Sequence, residues 1–165
     1  GKEITKDAAV TGDEKECFGK KGILKHSNEA KTEEERCLTC NKVCENCVDV
    51  CPNRANISIK VPGMEMNQVI HVDYMCNECG NCKSFCPYAS APYKDKFTLF
   101  ANEKDMADST NDGFVVLDKE AKTCKVRFVG QITDCKADDP ADKLYDGLKK
   151  LICTVIDDYG YLITK

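Results

Sequence analysis

The sequence predicts an α+β fold, and three observations predict it. Nine of its thirteen cysteines fall between Cys37 and Cys86, in two tight groups. Short stretches of alternating polar and apolar residues lie between and after these groups, as strands require. One amphipathic stretch at helical spacing comes near the end.

Residues 1–36 mix charges of both signs, with Gly12, Gly19 and Gly22 interrupting any period. They are expected to form a charged arm or linker from a larger protein. Thr32 followed by Glu33, Glu34 and Glu35 reads as a helix start, a cap residue before first-turn acids. The chain opens Gly1-Lys2-Glu3-Ile4 rather than with methionine, as expected of a fragment or a tag scar.

Residues 37–93 hold both cysteine groups and are expected to form one domain. Between the groups, Asn56–Val61 alternates, Pro62 and Gly63 turn the chain, and Val69–Val72 returns, so a β-hairpin is predicted.

Residues 94–165 are expected to form a small α+β accessory unit. Phe97–Phe100, Phe114–Leu117 and Cys124–Val129 read as strands, with a polar turn over Asp118–Thr123. Asp139 at a cap and Pro140 at the first helical position predict a helix. Leu144, Leu148, Leu151, Ile152 and Val155 give it an apolar stripe that reads as core. Asp157–Gly160 ends it, and Tyr161–Ile163 reads as a last strand.

Charged residues make up 32% of the chain and its net charge is −4. Neither points to nucleic acid, and no stretch has the apolar length of a membrane span. No charged-then-apolar start resembles a signal peptide. An odd cysteine count at two-residue spacings argues against a disulfide scaffold. A reducing, cytoplasmic setting is expected.

The second group reads Cys76-x₂-Cys79-x₂-Cys82-x₃-Cys86-Pro87. This is the run by which bacterial ferredoxins hold two four-iron–four-sulphur clusters. Three cysteines on one loop wrap a cluster. The fourth, a helical turn later, points away and ligates the other cluster. Pro87 stops the short helix, and Gly80 lets backbone approach the sulphurs. The first group ends in the same pattern, Cys44-x₂-Cys47-x₃-Cys51-Pro52. Its front end departs, with Asn41 where a cysteine is wanted. Cys40 lies one residue early and is favoured as the missing ligand; Cys37 is the alternative.

Two such groups joined by a hairpin predict the bacterial 2[4Fe-4S] ferredoxin-like arrangement, a duplicated β-α-β unit. Crossing the fourth ligands assigns Cys40, Cys44, Cys47 and Cys86 to one cluster. Cys76, Cys79, Cys82 and Cys51 then hold the other. Zinc also takes paired cysteines, but zinc ribbons separate two pairs by a longer loop. Cys17, Cys124, Cys135 and Cys153 read as plain thiols. His26 lies in the arm, and His71 reads as solvent-facing. No phosphate-binding loop, dinucleotide fingerprint or haem-attachment motif is present, so no catalytic residue is assigned.

The stretch Arg36–Asn56, with Tyr74–Cys82 and Pro92–Lys96, resembles the C-terminal iron–sulphur region of the selenate reductase iron–sulphur subunit family. The resemblance covers about residues 36–118. It implies the last piece of a larger flavoprotein, similar to dihydropyrimidine dehydrogenase and the glutamate synthase small subunit. There NAD(P)H reduces a flavin, and clusters carry single electrons onward. The expected partner is therefore a flavin/NAD(P)H domain, in the parent protein or a partner subunit, with a molybdenum hydroxylase as a further candidate. A free-standing ferredoxin-like carrier is the alternative.

Overall fold

The computed structural model describes residues 44–64 and 66–164. The helix start at Thr32, Cys17, Cys37, Cys40 and His26 lie outside the described residues.

Among the described residues, six strands form one mixed sheet in sequential order. They are β1 (Asn56–Ile59), β2 (Gln68–Val72), β3 (Thr98–Phe100), β4 (Gly113–Asp118), β5 (Thr123–Phe128) and β6 (Gln131–Lys136). A single-turn helix, α1 (Asn46–Asp49), precedes the sheet. β1 and β2 form the predicted antiparallel hairpin, with Asn56 opposite His71 and Ile59 opposite Gln68. β2, β3 and β4 run parallel. β5 and β6 complete the sheet antiparallel. Parallel neighbours need crossover connections. The β2–β3 crossover carries a 3₁₀ turn (Asp73–Met75) and two short helices, α2 (Asn81–Ser84) and α3 (Pro92–Asp95). The β3–β4 crossover carries α4 (Glu103–Asp108). A mixed sheet with a few helices agrees with the α+β class expected.

The alternation of side chains along each strand sorts them onto two faces. Ile59, Ile70, Val72, Leu99, Phe114, Cys124 and Val126 line one face, where Leu148, Leu151, Ile152 and Val155 of α5 (Asp146–Asp158) join the same core. Burying each such aliphatic side chain contributes about 1.5–3 kcal/mol before entropy is counted. On the other face, Val69 packs with Cys47 and Cys82. Further along that face, Phe100 and Val115 pack with Met106 of α4. β2 is buried at all five positions because both its faces are covered.

Gly113 permits the β3–β4 approach. A Cβ there would stand 2.1 Å from the Thr98 carbonyl oxygen and 2.8 Å from the Phe100 ring.

Several local expectations are corrected. The last helix begins at Asp146, not near Pro140. Asp139 instead accepts from the Ala141 N–H, and Asp142 from the N–H groups of Leu144 and Lys136. Such side-chain bonds favour turns over a continuing helix. Tyr161–Ile163 is not a strand: Gly160–Leu162 is a 3₁₀ turn with Leu162 buried. Lys119 donates to the carbonyls of Gly160 and Ile163 and ties the turn down. The strand expected over Cys124–Val129 ends at Phe128, because Val129 and Gly130 take φ of 49° and 73° in a tight hairpin turn.

Candidate metal centre

The two cysteine groups repeat in backbone as well as in sequence. Cys47 lies in the single-turn helix α1 and Cys82 in the single-turn helix α2. The helices pack on each other, and both cysteines are 7% exposed. Cys51-Pro52 and Cys86-Pro87 follow just after them. Three residues past each of those cysteines the chain turns left-handed, at Arg54 (φ 56°) and Ala89 (φ 54°). In each case that residue's N–H donates to the cysteine's carbonyl at 3.2 Å. Equal spacing has produced equal local geometry.

A cavity between the two groups is lined by Cys51 from the first and Cys76, Cys79 and Cys82 from the second. Asn56, His71 and Tyr93 complete much of its wall. The loop between Cys76 and α2 bends around it through two left-handed residues, Glu78 (φ 52°) and Gly80 (φ 80°). At Gly80 the positive φ itself favours glycine. No described atom crowds the space where a Cβ would stand.

Backbone N–H groups donate to two of these sulphurs. Ala55 donates to Cys51 Sγ at 3.2 Å and Glu78 to Cys76 Sγ at 3.3 Å. Burial pushes the Cys76 thiol up; the Glu78 N–H opposes this, while Cys82 and Cys51 add to it. Mutual repulsion of this kind is relieved when thiolates share a positive metal centre.

Among the described residues, no three His, Cys, Asp or Glu side chains converge closely enough for a single metal ion. Four sulphurs around one zinc stand only about 4 Å apart, given a Zn–S bond near 2.3 Å. A cluster of iron and sulphide is a wider body and needs a wider ring of thiols. Cys51, Cys76, Cys79 and Cys82 line one cavity, and Cys51 and Cys76 accept N–H bonds; cysteine sulphur is the donor that such a cluster takes.

Cys44 and Cys86 are half-buried. With Cys47 they are the described members of the other predicted set, whose remaining candidates, Cys40 and Cys37, lie outside the described residues. No two described cysteines are joined by a disulfide.

His71 is not solvent-facing, contrary to the expectation from sequence. It is 2% exposed, since β2 is covered on both faces. The Asn56 side-chain amide donates to the Cys47 carbonyl at 2.9 Å, which leaves its oxygen facing His71 Nδ1, also at 2.9 Å. Nδ1 therefore carries the proton in that pair. Burial lowers the His71 pKa to about 4, so the ring is neutral near pH 7. Asn56 is a site residue that sequence reasoning does not single out; a polar residue opening a strand directly after Cys-Pro is the available signal.

The other described cysteines are buried or half-buried thiols. Cys124 and Cys135 face each other across β5 and β6. Burial first, then neighbouring groups, push them to about 12 and about 11, which keeps them protonated and unreactive. Cys153, on α5, is half-buried, and burial raises it too.

No helix among the described residues is long and apolar enough to cross a membrane. Neither a protein-family model nor a solved structure matches the chain. Two curated proteins do, each 55% identical over 96 residues: "Putative oxidoreductase YgfK" of Escherichia coli strain K12 and its namesake from strain O157:H7. The match takes in 58% of this chain and 9% of each relative, so the chain spans under a tenth of their length in the aligned part and is similar to one segment of a much larger oxidoreductase.

Proposed function

We propose that this chain is an electron-transfer module carrying two [4Fe-4S] clusters on a ferredoxin-like scaffold, within a larger flavin-dependent oxidoreductase. The observation that carries the reading is the cavity where Cys51 joins Cys76, Cys79 and Cys82. Those four are the set obtained by crossing the fourth ligands of the two runs. The relatives' name supports an oxidoreductase role and nothing finer. Flavin, NAD(P)H and a partner of the selenate reductase type come from the sequence resemblance.

Bound clusters would supply one-electron storage at potentials set by hydrogen bonds, charge and exposure. The chain's own residues would provide the rest. Cys51, Cys76, Cys79 and Cys82 would hold one cluster; Cys44, Cys47 and Cys86 would hold the other, with Cys40 or Cys37. The N–H groups of Ala55 and Glu78 stabilise negative charge on sulphur. Asn56 and His71 fix α1 to the sheet, so that Cys47 and Cys51 keep their directions.

Anaerobic purification tests the reading. Two clusters require about eight irons per chain and a brown colour that dithionite bleaches. Colourless protein carrying zinc would refute it.

A further inference from the structure

Three of the four cysteines outside the two groups come together in the fold. Cys124 of β5 and Cys135 of β6 stand directly opposite each other in the ladder, and both belong to the core that α5 shares. Cys153 of α5 packs against the same core. Cys47 and Cys82 pack on the other face of the sheet, apart from these thiols. We propose that Cys124 and Cys135 form a reversible dithiol–disulfide pair, which staples the edge strand β6 to β5 by exchange with small disulfides of the glutathione class.

The register carries the proposal. Directly opposite residues of an antiparallel pair have Cα atoms about 4.5–5.5 Å apart and side chains on one face. A disulfide spans Cα atoms about 4.4–6.8 Å apart, so the bond closes with only a small movement. The surroundings favour it too. Cys124 is 0% exposed and Cys135 7%, in a core with Val126, Leu148 and Ile152. A disulfide is neutral and apolar, so this core takes it in without burying a charge.

In the closed fold both thiols stay protonated, so exchange begins where the fold opens. β6 ends the sheet among the described residues, and five of its six positions are exposed. Such an edge opens locally before the central strands do. Once exposed, the Cys135 thiolate attacks one sulphur of the small disulfide. That S–S bond breaks, and one small thiolate leaves and takes up the proton that Cys135 lost. The Cys124 thiolate then attacks the mixed disulfide at the Cys135 sulphur, and the second small thiolate leaves with the Cys124 proton. Two protein thiols are oxidised and one small disulfide is reduced to two thiols.

The test incubates the full chain with oxidised glutathione in the absence of oxygen, then blocks free thiols with N-ethylmaleimide in denaturant. Trypsin should release residues 123–125 joined to residues 128–136, and dithiothreitol should separate them. Hydrogen exchange over Gln131–Lys136 should slow at least about tenfold in the oxidised chain. Cys153→Ser should leave the joined peptide at the parent yield. Cys124→Ala should abolish both the joined peptide and the slowing. Cys124 and Cys135 both blocked by N-ethylmaleimide, or Cys135 joined to Cys153, would overturn the pair. Hydrogen exchange unchanged by the bond would overturn the staple. A chain without iron would refute the relay reading instead and leave this result standing.

Discussion

Asn56 and His71 face each other across the β1–β2 ladder, and their side chains meet at 2.9 Å. The same asparagine holds the Cys47 carbonyl. One buried pair therefore joins the first cysteine group, the hairpin and the wall of the cysteine cavity. Asn56→Leu should strand the His71 Nδ1–H in a buried site. A loss of about 1–3 kcal/mol follows. Chemical denaturation checks it, and unchanged stability would show that the pair holds nothing.

His71 also sets a pH dependence. Its folded pKa is lowered to about 4 from 6.5, so the unfolded chain binds the proton more readily. Stability from this group is complete above pH 6.5 and is lost as pH falls toward 4. At 1.36 kcal/mol per pKa unit the whole effect is about 3 kcal/mol. Thermal melts at pH 7.5 and 5 should show a smaller acid-induced drop in His71→Gln than in the parent chain.

Two glycines should respond with opposite sign. Gly113→Ala drives a methyl into the Thr98 carbonyl and should cost more than about 2 kcal/mol. Gly147, in the first turn of α5, has open space instead: a Cβ there would meet only the Met64 methyl, at 3.7 Å. Gly147→Ala should raise stability by about 0.5–1 kcal/mol through helix propensity. Melting temperatures of the two variants settle both.

What can be read from the sequence follows the strength of each local signal. β1, β2, β4 and β5 carry apolar alternation or apolar runs, and their observed bounds lie within a residue or two of those the pattern predicts. β6 escapes the pattern because five of its six positions are exposed. Its Gln-Ile-Thr-Asp stretch carries no apolar face, and pairing with β5 makes it a strand. α4 escapes because it is short, although Asn102 caps it by accepting from the Asp105 N–H. The last helix starts later than its sequence suggests because Asp139-Pro140 mimics a cap. Spacing alone brings out the cysteine set around the cavity. Local patterns cannot show that His71 is buried, since that depends on the cysteine segment covering a second face of the sheet.

Iron content in paired cysteine variants tests the crossed arrangement most directly. Cys51→Ser and Cys79→Ser should each remove one cluster, leaving about four irons per chain. The double variant should still keep about four, because both residues belong to one set. Cys79→Ser with Cys86→Ser should lose nearly all iron. The contrary result, near-complete loss in Cys51→Ser with Cys79→Ser and retention in Cys79→Ser with Cys86→Ser, would show that each run holds its own cluster.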